Sequence, residues 1–198
     1  MSALTELYDQ IAQCRLCEIS KYRTRAVPGE GPEDARIMFI GEAPGYNEDQ
    51  QGRPFVGAAG QFLDQLLVSV GLSRQKVYIT NVVKTRPPDN RDPLPGEIEN
   101  CRRWLDRQLE IMKPGLIVTL GRHSMARFFP GKTISKIHGT AQRRDGVIYF
   151  AIYHPAAALH QQALRKDLEA DMLKLKPFIE ELEAPRPARE PPRQLNMF

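Results

Sequence analysis

Two segments far apart in the chain bring together residue types that could do chemistry. The first is Gly41-Glu42-Ala43-Pro44-Gly45, which runs on through Glu48 and Asp49 to Gly52-Arg53-Pro54-Phe55-Val56-Gly57. The second is Tyr153-His154-Pro155-Ala156-Ala157-Ala158-Leu159. Glu42 and Glu48 are carboxylates able to orient water, and His154 can donate a proton toward developing negative charge. Phe55 is an aromatic face in a stiff, polar loop, which is what stacking on a planar ligand requires. Asn81, next to Thr80 in an apolar run, offers a donor and an acceptor to the edge of such a ligand. Each has a plainer reading. The glycine turn is an ordinary strand-to-helix connection, Phe55 a core side chain, and His154 a structural histidine. The Gly-x-Gly-x-x-Gly fingerprint and the phosphate loop are both absent, which argues against a nucleotide cofactor.

Position favours the chemical reading. The first segment follows Ile37-Met38-Phe39-Ile40 and the second follows Val147-Ile148-Tyr149-Phe150-Ala151-Ile152, both β-type runs. Loops at the carboxyl ends of neighbouring parallel strands form the crevice in which open α/β sheets bind ligands. Further strands are predicted over 77–83 and 115–120, and apolar spacing predicts helices over 3–13, 60–70, 95–112, 123–129 and about 165–182. Strands alternating with helices imply a three-layer α/β/α sandwich around a central, mostly parallel four-stranded sheet. His123, His138 and His160 lack a placement like that of His154 and are assigned no chemistry.

Length and composition set the frame. A chain of 198 residues, 41% hydrophobic and 26% charged, reads as one ordinary globular domain over 1–183 with a tail over 184–198. No apolar run approaches the roughly 20 residues that span a bilayer. The N-terminus lacks the layout of a signal peptide, so a cytoplasmic, nucleoid-associated protein is expected. The net charge of +4 fits a polyanion partner only weakly. Lys84-Thr85-Arg86-Pro87-Pro88-Asp89-Asn90-Arg91 is a basic loop, either solvated or suited to phosphates. Cys14, Cys17 and Cys101 are poor material for disulfides in an intracellular chain. The tail is rich in proline and arginine and reads as disordered, yet it ends in the apolar Gln194-Leu195-Asn196-Met197-Phe198.

Together the segments resemble the uracil-DNA glycosylase superfamily, and most closely its family 4, the iron–sulfur glycosylases. The matching stretches are Cys14-x-x-Cys17, Gly41 to Gly45, Gly52 to Gly60, Thr80 to Lys84, Arg86 to Arg91 and His154-Pro155-Ala156, in the family's order. The resemblance implies a monomeric DNA repair enzyme that flips deoxyuridine out of the stack and hydrolyses its N-glycosidic bond. By similarity, Phe55 stacks on uracil, Asn81 reads its Watson–Crick edge, and His154 donates toward its O2. Backbone amides near Glu42 and Ala43 complete that anion site. The attacking water is oriented by Glu42, Glu48 or Asn90, with Glu42 first. Lys84, Arg86 and Arg91 (with Lys136 and Arg143) are candidates for phosphate contacts, and Leu159, with Gln161 nearby, for a wedge into the vacated stack.

In the family a 4Fe–4S cluster is held by four cysteine thiolates. Cys14, Cys17 and Cys101 match three of them, and Thr85 stands at the remaining position. Three outcomes stay open: a cluster with a non-cysteine ligand, one lacking an iron, or none. A crosslinking branch of the superfamily carries a histidine loop in this interval. Residues 86–100 contain no histidine, so simple turnover is expected. The terminal residues Gln194, Leu195, Met197 and Phe198 resemble the peptide that docks on the bacterial sliding clamp. Two other classes remain: a non-catalytic binder of uracil-containing or single-stranded DNA, and a redox protein using Cys14 and Cys17.

Overall fold

The computed structural model describes residues 2–184, so the Gln194–Phe198 peptide lies outside the described residues. The elements run α1 (Ala3–Gln13), β1 (Ile37–Gly41), α2 (Tyr46–Gln51), α3 (Ala58–Ser69), β2 (Tyr78–Asn81), α4 (Pro95–Met112), β3 (Leu116–Leu120) and α5 (Arg122–Phe128). They continue with α6 (Ile134–Ile137), β4 (Thr140–Arg144), β5 (Val147–Ile152), α7 (Pro155–His160), α8 (Gln162–Leu173) and α9 (Lys176–Glu183).

Five strands form one sheet in the order β2-β1-β3-β5-β4. All neighbours pair in parallel except β4, which lies antiparallel to β5 at the edge. Alternation along each strand builds two cores, as the pleat requires. Ile37 and Phe39 join Ile79, Leu116, Val118, Ile148 and Phe150 beneath α3, α8 and α9. Met38 and Ile40 join Tyr78, Ile117 and Ala151 beneath α1, α4 and α5. The three-layer α/β/α expectation holds, with five strands where four were predicted. The extra strand reads Thr-Ala-Gln-Arg-Arg and is exposed throughout, so it carries no apolar alternation to find. Its charge also suits an edge that must not recruit other strands. The single helix predicted over about 165–182 is two helices, divided where Leu175 turns into the core and Pro177 starts a new first turn.

Strand order places the site. The chain leaves β1 toward β2 on one side, and leaves β3 toward β5 on the other, so the order reverses between β1 and β3. A crevice opens at the carboxyl ends of such a pair. The residues that follow there are Glu42 and Ala43 after β1, and Gly121, Arg122 and His123 after β3.

Candidate active site

Phe55 is buried, yet its backbone sits in the left-handed region at φ 52°. A bulky residue there costs about 1–3 kcal/mol and persists only where its surroundings impose it. Three groups impose it. Arg74 donates through Nη1 to the Pro54 carbonyl at 3.0 Å and through Nη2 to the Phe55 carbonyl, while its Nε holds Asp64 at 2.7 Å. Gly60 lies so close beneath that a methyl group would strike the Phe55 carbonyl. Glu48 completes the clamp. Its Oε1 accepts from the amides of Val56 and Gly57, each at 2.9 Å, and its Oε2 accepts from the amide of Gly45 at 3.1 Å.

With both oxygens of Glu48 taken by backbone amides, the structure corrects its assignment to water. It ties the turn after β1 to the Phe55 loop.

The ring so held meets the other two groups. A methyl on Gly41 would come within 2.5 Å of Phe55 Cζ and would also strike Asn81 Oδ1, so ring and amide flank the same glycine at the end of β1. The rings of Phe55 and His154 lie 5.6 Å apart, inclined by 31°. Asn81 is buried and its Oδ1 has no hydrogen-bond partner. An unsatisfied buried acceptor costs on the order of 1–3 kcal/mol and calls for an explanation. A ligand N–H supplies one.

His154 caps α7. Its Nδ1 accepts the Ala156 amide at 3.2 Å, which leaves the proton on Nε2. Burial lowers its pKa to about 4, so the ring is neutral at physiological pH and presents an N–H donor. Close packing makes this placement possible: Gly121, at φ 86°, lies against the His154 Cβ, and its amide donates to the Ile152 carbonyl at 2.8 Å.

Glu42 stands at the β1–β3 reversal with its side chain largely buried. Burial first, and the charge of Asp92 second, push its pKa up to about 7. His123 Nε2 lies 3.7 Å from Glu42 Oε2 and 3.9 Å from Asp92 Oδ2. Sequence reasoning gave His123 no role. Yet it stands just past Gly121 at the end of β3, the same kind of strand-end position that singled out His154. Asn90 is exposed at φ 55°, and its Oδ1 accepts from Arg86 Nε at 2.7 Å.

The basic residues divide. Lys84 is corrected outright: it is 1% exposed and cannot reach a phosphate. Its Nζ donates to Thr80 Oγ1, the Asn81 carbonyl and Gln108 Oε1 at 2.6–2.7 Å, which braces the strand end that carries Asn81. Burial lowers its pKa to about 7. Arg143 is also corrected. It pairs with Ile148 near the amino end of β5 and grips Glu181, away from the crevice. Arg91 is forked onto Glu97 at 2.6 and 2.9 Å, bracing the start of α4. Arg86 lies over the exposed Tyr46 ring at 5.1 Å. Leu159, 41% exposed, and Gln161 stand on the rim just past His154.

The three cysteines are free of disulfides; Cys17 and Cys101 lie together on the α1–α4 side, and Cys14 caps the end of α1. A hydrogen bond from Cys101 lowers the Cys17 pKa to about 6, making Cys17 the thiolate of the pair. Arg23 faces all three sulfurs and donates to Thr85 Oγ1 at 3.0 Å and to the Cys14 carbonyl at 3.0 Å. Three soft sulfur ligands beside a guanidinium suit an anionic iron–sulfur group.

A groove of about 450 Å³ lined by Pro32, Arg36, Leu72, Gln75 and Leu182 opens at the opposite, amino end of the strands. No converging chemistry accompanies it, so the site is placed by its groups rather than by volume.

Residues 28–176 match the family model described as the uracil DNA glycosylase superfamily. The chain is 48% identical over 186 residues to a type-4 uracil-DNA glycosylase of Sulfurisphaera tokodaii, covering 89% of this chain and 84% of the relative. It is 46% identical over 184 residues to the type-4 enzyme of Archaeoglobus fulgidus, covering 88% and 92%. With that of Thermotoga maritima it shares 42% over 176 residues, covering 86% and 92%.

Proposed function

The chain belongs to the uracil DNA glycosylase superfamily, and from that premise we propose that it excises uracil from DNA by hydrolysis at the slot formed by Phe55, Asn81 and His154. The observation that carries the placement is the unpartnered, buried Oδ1 of Asn81 beside a ring held in a strained conformation. Uracil N3–H satisfies that oxygen, and the Asn81 amide N–H donates to the uracil O4. Phe55 stacks on the base, and Leu159 wedges into the space it leaves.

The chemistry follows from charge. As the C1′–N1 bond breaks, its electron pair moves onto the base and negative charge gathers on O2. The Nε2–H of neutral His154 donates to that oxygen without first losing a proton to it. A preorganised donor of this kind contributes roughly 3–4 kcal/mol. Glu42 faces the water that attacks C1′, and its charge, when ionised, offsets the oxocarbenium character of the sugar. Arg86 and Lys136 contribute phosphate contacts.

Cys14, Cys17 and Cys101 hold an iron–sulfur cluster whose role is structural, tying the N-terminal segment to the 85–101 loop. The Thr85 hydroxyl, already engaged by Arg23, is a hard and poor ligand, so three protein sulfurs carry the cluster. Iron and acid-labile sulfide should be found in the purified protein, with the iron content rising in Thr85→Cys; colourless, iron-free protein contradicts this. The C-terminal Gln194–Phe198 peptide docks on the sliding clamp, and its deletion should abolish clamp binding while leaving activity on short duplexes.

The activity is tested by incubating the protein with a uracil-bearing oligonucleotide, followed by alkali. Strand scission at the uracil is expected. An intact strand with retained binding would instead make the protein a non-catalytic DNA-binding module.

A further inference from the structure

Glu42 is not alone at the β1–β3 reversal. The carboxylates of Glu42 and Asp92 and the His123 imidazole bring their polar atoms within 4.8 Å of one another. Arg122 closes the group: its Nη2 donates to Asp92 Oδ2 and its Nε donates to His123 Nε2 at 3.1 Å. The guanidinium supplies the positive charge that a cation would otherwise bring, so the cluster needs no metal. What it contains is two carboxyl groups with oxygens within 4.8 Å of each other, one in the crevice and one pinned from outside by Arg122. A second negative charge so close favours the neutral form of the more buried Glu42.

We propose that Asp92, held in place by Arg122, is a positioning residue that makes Glu42 a general base for the attacking water rather than only a carboxylate that orients it. The inference rests on the uracil-excising reading above. In the step, the water oxygen bonds to C1′ while the C1′–N1 bond breaks and its electron pair leaves on the base. The water proton passes to Glu42. The products are the abasic sugar with its new hydroxyl, the uracil anion held by His154, and a protonated Glu42 that returns its proton to solvent. A carboxylate alone in water is too weak a base to share that proton early, whereas one poised near the working pH is suited to it.

The groups that face Glu42 are Asp92 from the loop before α4, and Arg122 and His123 from α5. His123 also bears on His154, which in turn feels Glu48. Burial and the Arg122 charge hold His123 below its ordinary pKa, and its Nε2 is occupied as an acceptor, so it stays neutral.

The test is the single-turnover excision rate of the full chain between pH 5 and 9, for the wild type, Asp92→Asn and Arg122→Gln. The wild-type rate should rise with pH, with its midpoint near 7. Removing the Asp92 charge should move that midpoint down by about 1 unit, roughly a tenfold gain at low pH relative to each protein's own plateau. Removing the Arg122 guanidinium should move it up. A residue that merely supports the fold would not shift the limb in opposite directions. The proposal is overturned if the midpoint stays put in both variants, or if both move it in the same direction. A wild type that excises nothing at any pH would instead remove the functional reading on which it rests.

Discussion

Phe55, Asn81 and His154 are brought together by contacts too close for larger residues, with Gly41 between ring and amide and Gly121 beneath the imidazole. Each then has a separable consequence. Stacking of a base on an aromatic ring contributes about 1–3 kcal/mol, so Phe55→Ala should lower kcat/KM on uracil-containing DNA by about 5- to 150-fold. Asn81→Ala removes the buried acceptor, and its loss should be of similar size and confined to recognition of the base: binding to abasic DNA should change little. Equal losses on uracil and abasic substrates would show that Asn81 supports the fold rather than reading the base. Lys84 separates two roles that the sequence could not. Lys84→Met should reduce stability by about 1–3 kcal/mol, since Thr80 and Gln108 lose a buried partner. The salt dependence of DNA binding should be unchanged, whereas removing a cation that neutralises a phosphate would reduce the slope by about 1. The lysine looked exposed because it opens a run of charged and proline residues. Its burial follows from the polar groups of β2 and α4, which a linear reading does not bring together.

At the scale of the elements, the site depends on two short helices. Helix α2 exists to present Glu48, which gathers the amides of Gly45, Val56 and Gly57 and so fixes the loop that carries Phe55. Glu48→Ala should therefore lower kcat/KM together with stability, and Glu48→Gln, which keeps one strong acceptor, should recover part of both. A Glu48→Ala protein with full stability and no activity would return the residue to the reaction itself. Helix α7 does the same for His154, whose tautomer is set by the amide of Ala156. The long elements were legible because apolar spacing marks them: α1 and α4 lie where the spacing predicted, and β1, β3 and β5 within a residue or two. The short ones were not. Thr140–Arg144 has no apolar face, and α2 and α7 are too brief for a period to show.

For the whole molecule, the order β2-β1-β3-β5-β4 explains why residues so distant in sequence act together. The reversal between β1 and β3 opens the crevice, and Glu42, Arg122 and His123 line its two sides. The sequence showed the loops on the strands that end there, which is why Phe55, Asn81 and His154 could be named in advance. It did not show which strands were neighbours, which is why His123 was passed over. The central claim is that ring, amide and imidazole form one slot for an extruded uracil. It is tested most directly by a crystal structure of the protein with abasic DNA and uracil. The account predicts the base stacked on Phe55, its N3–H on Asn81 Oδ1 and its O2 on His154 Nε2. Uracil bound elsewhere, or bound here without contact to Asn81, would contradict it.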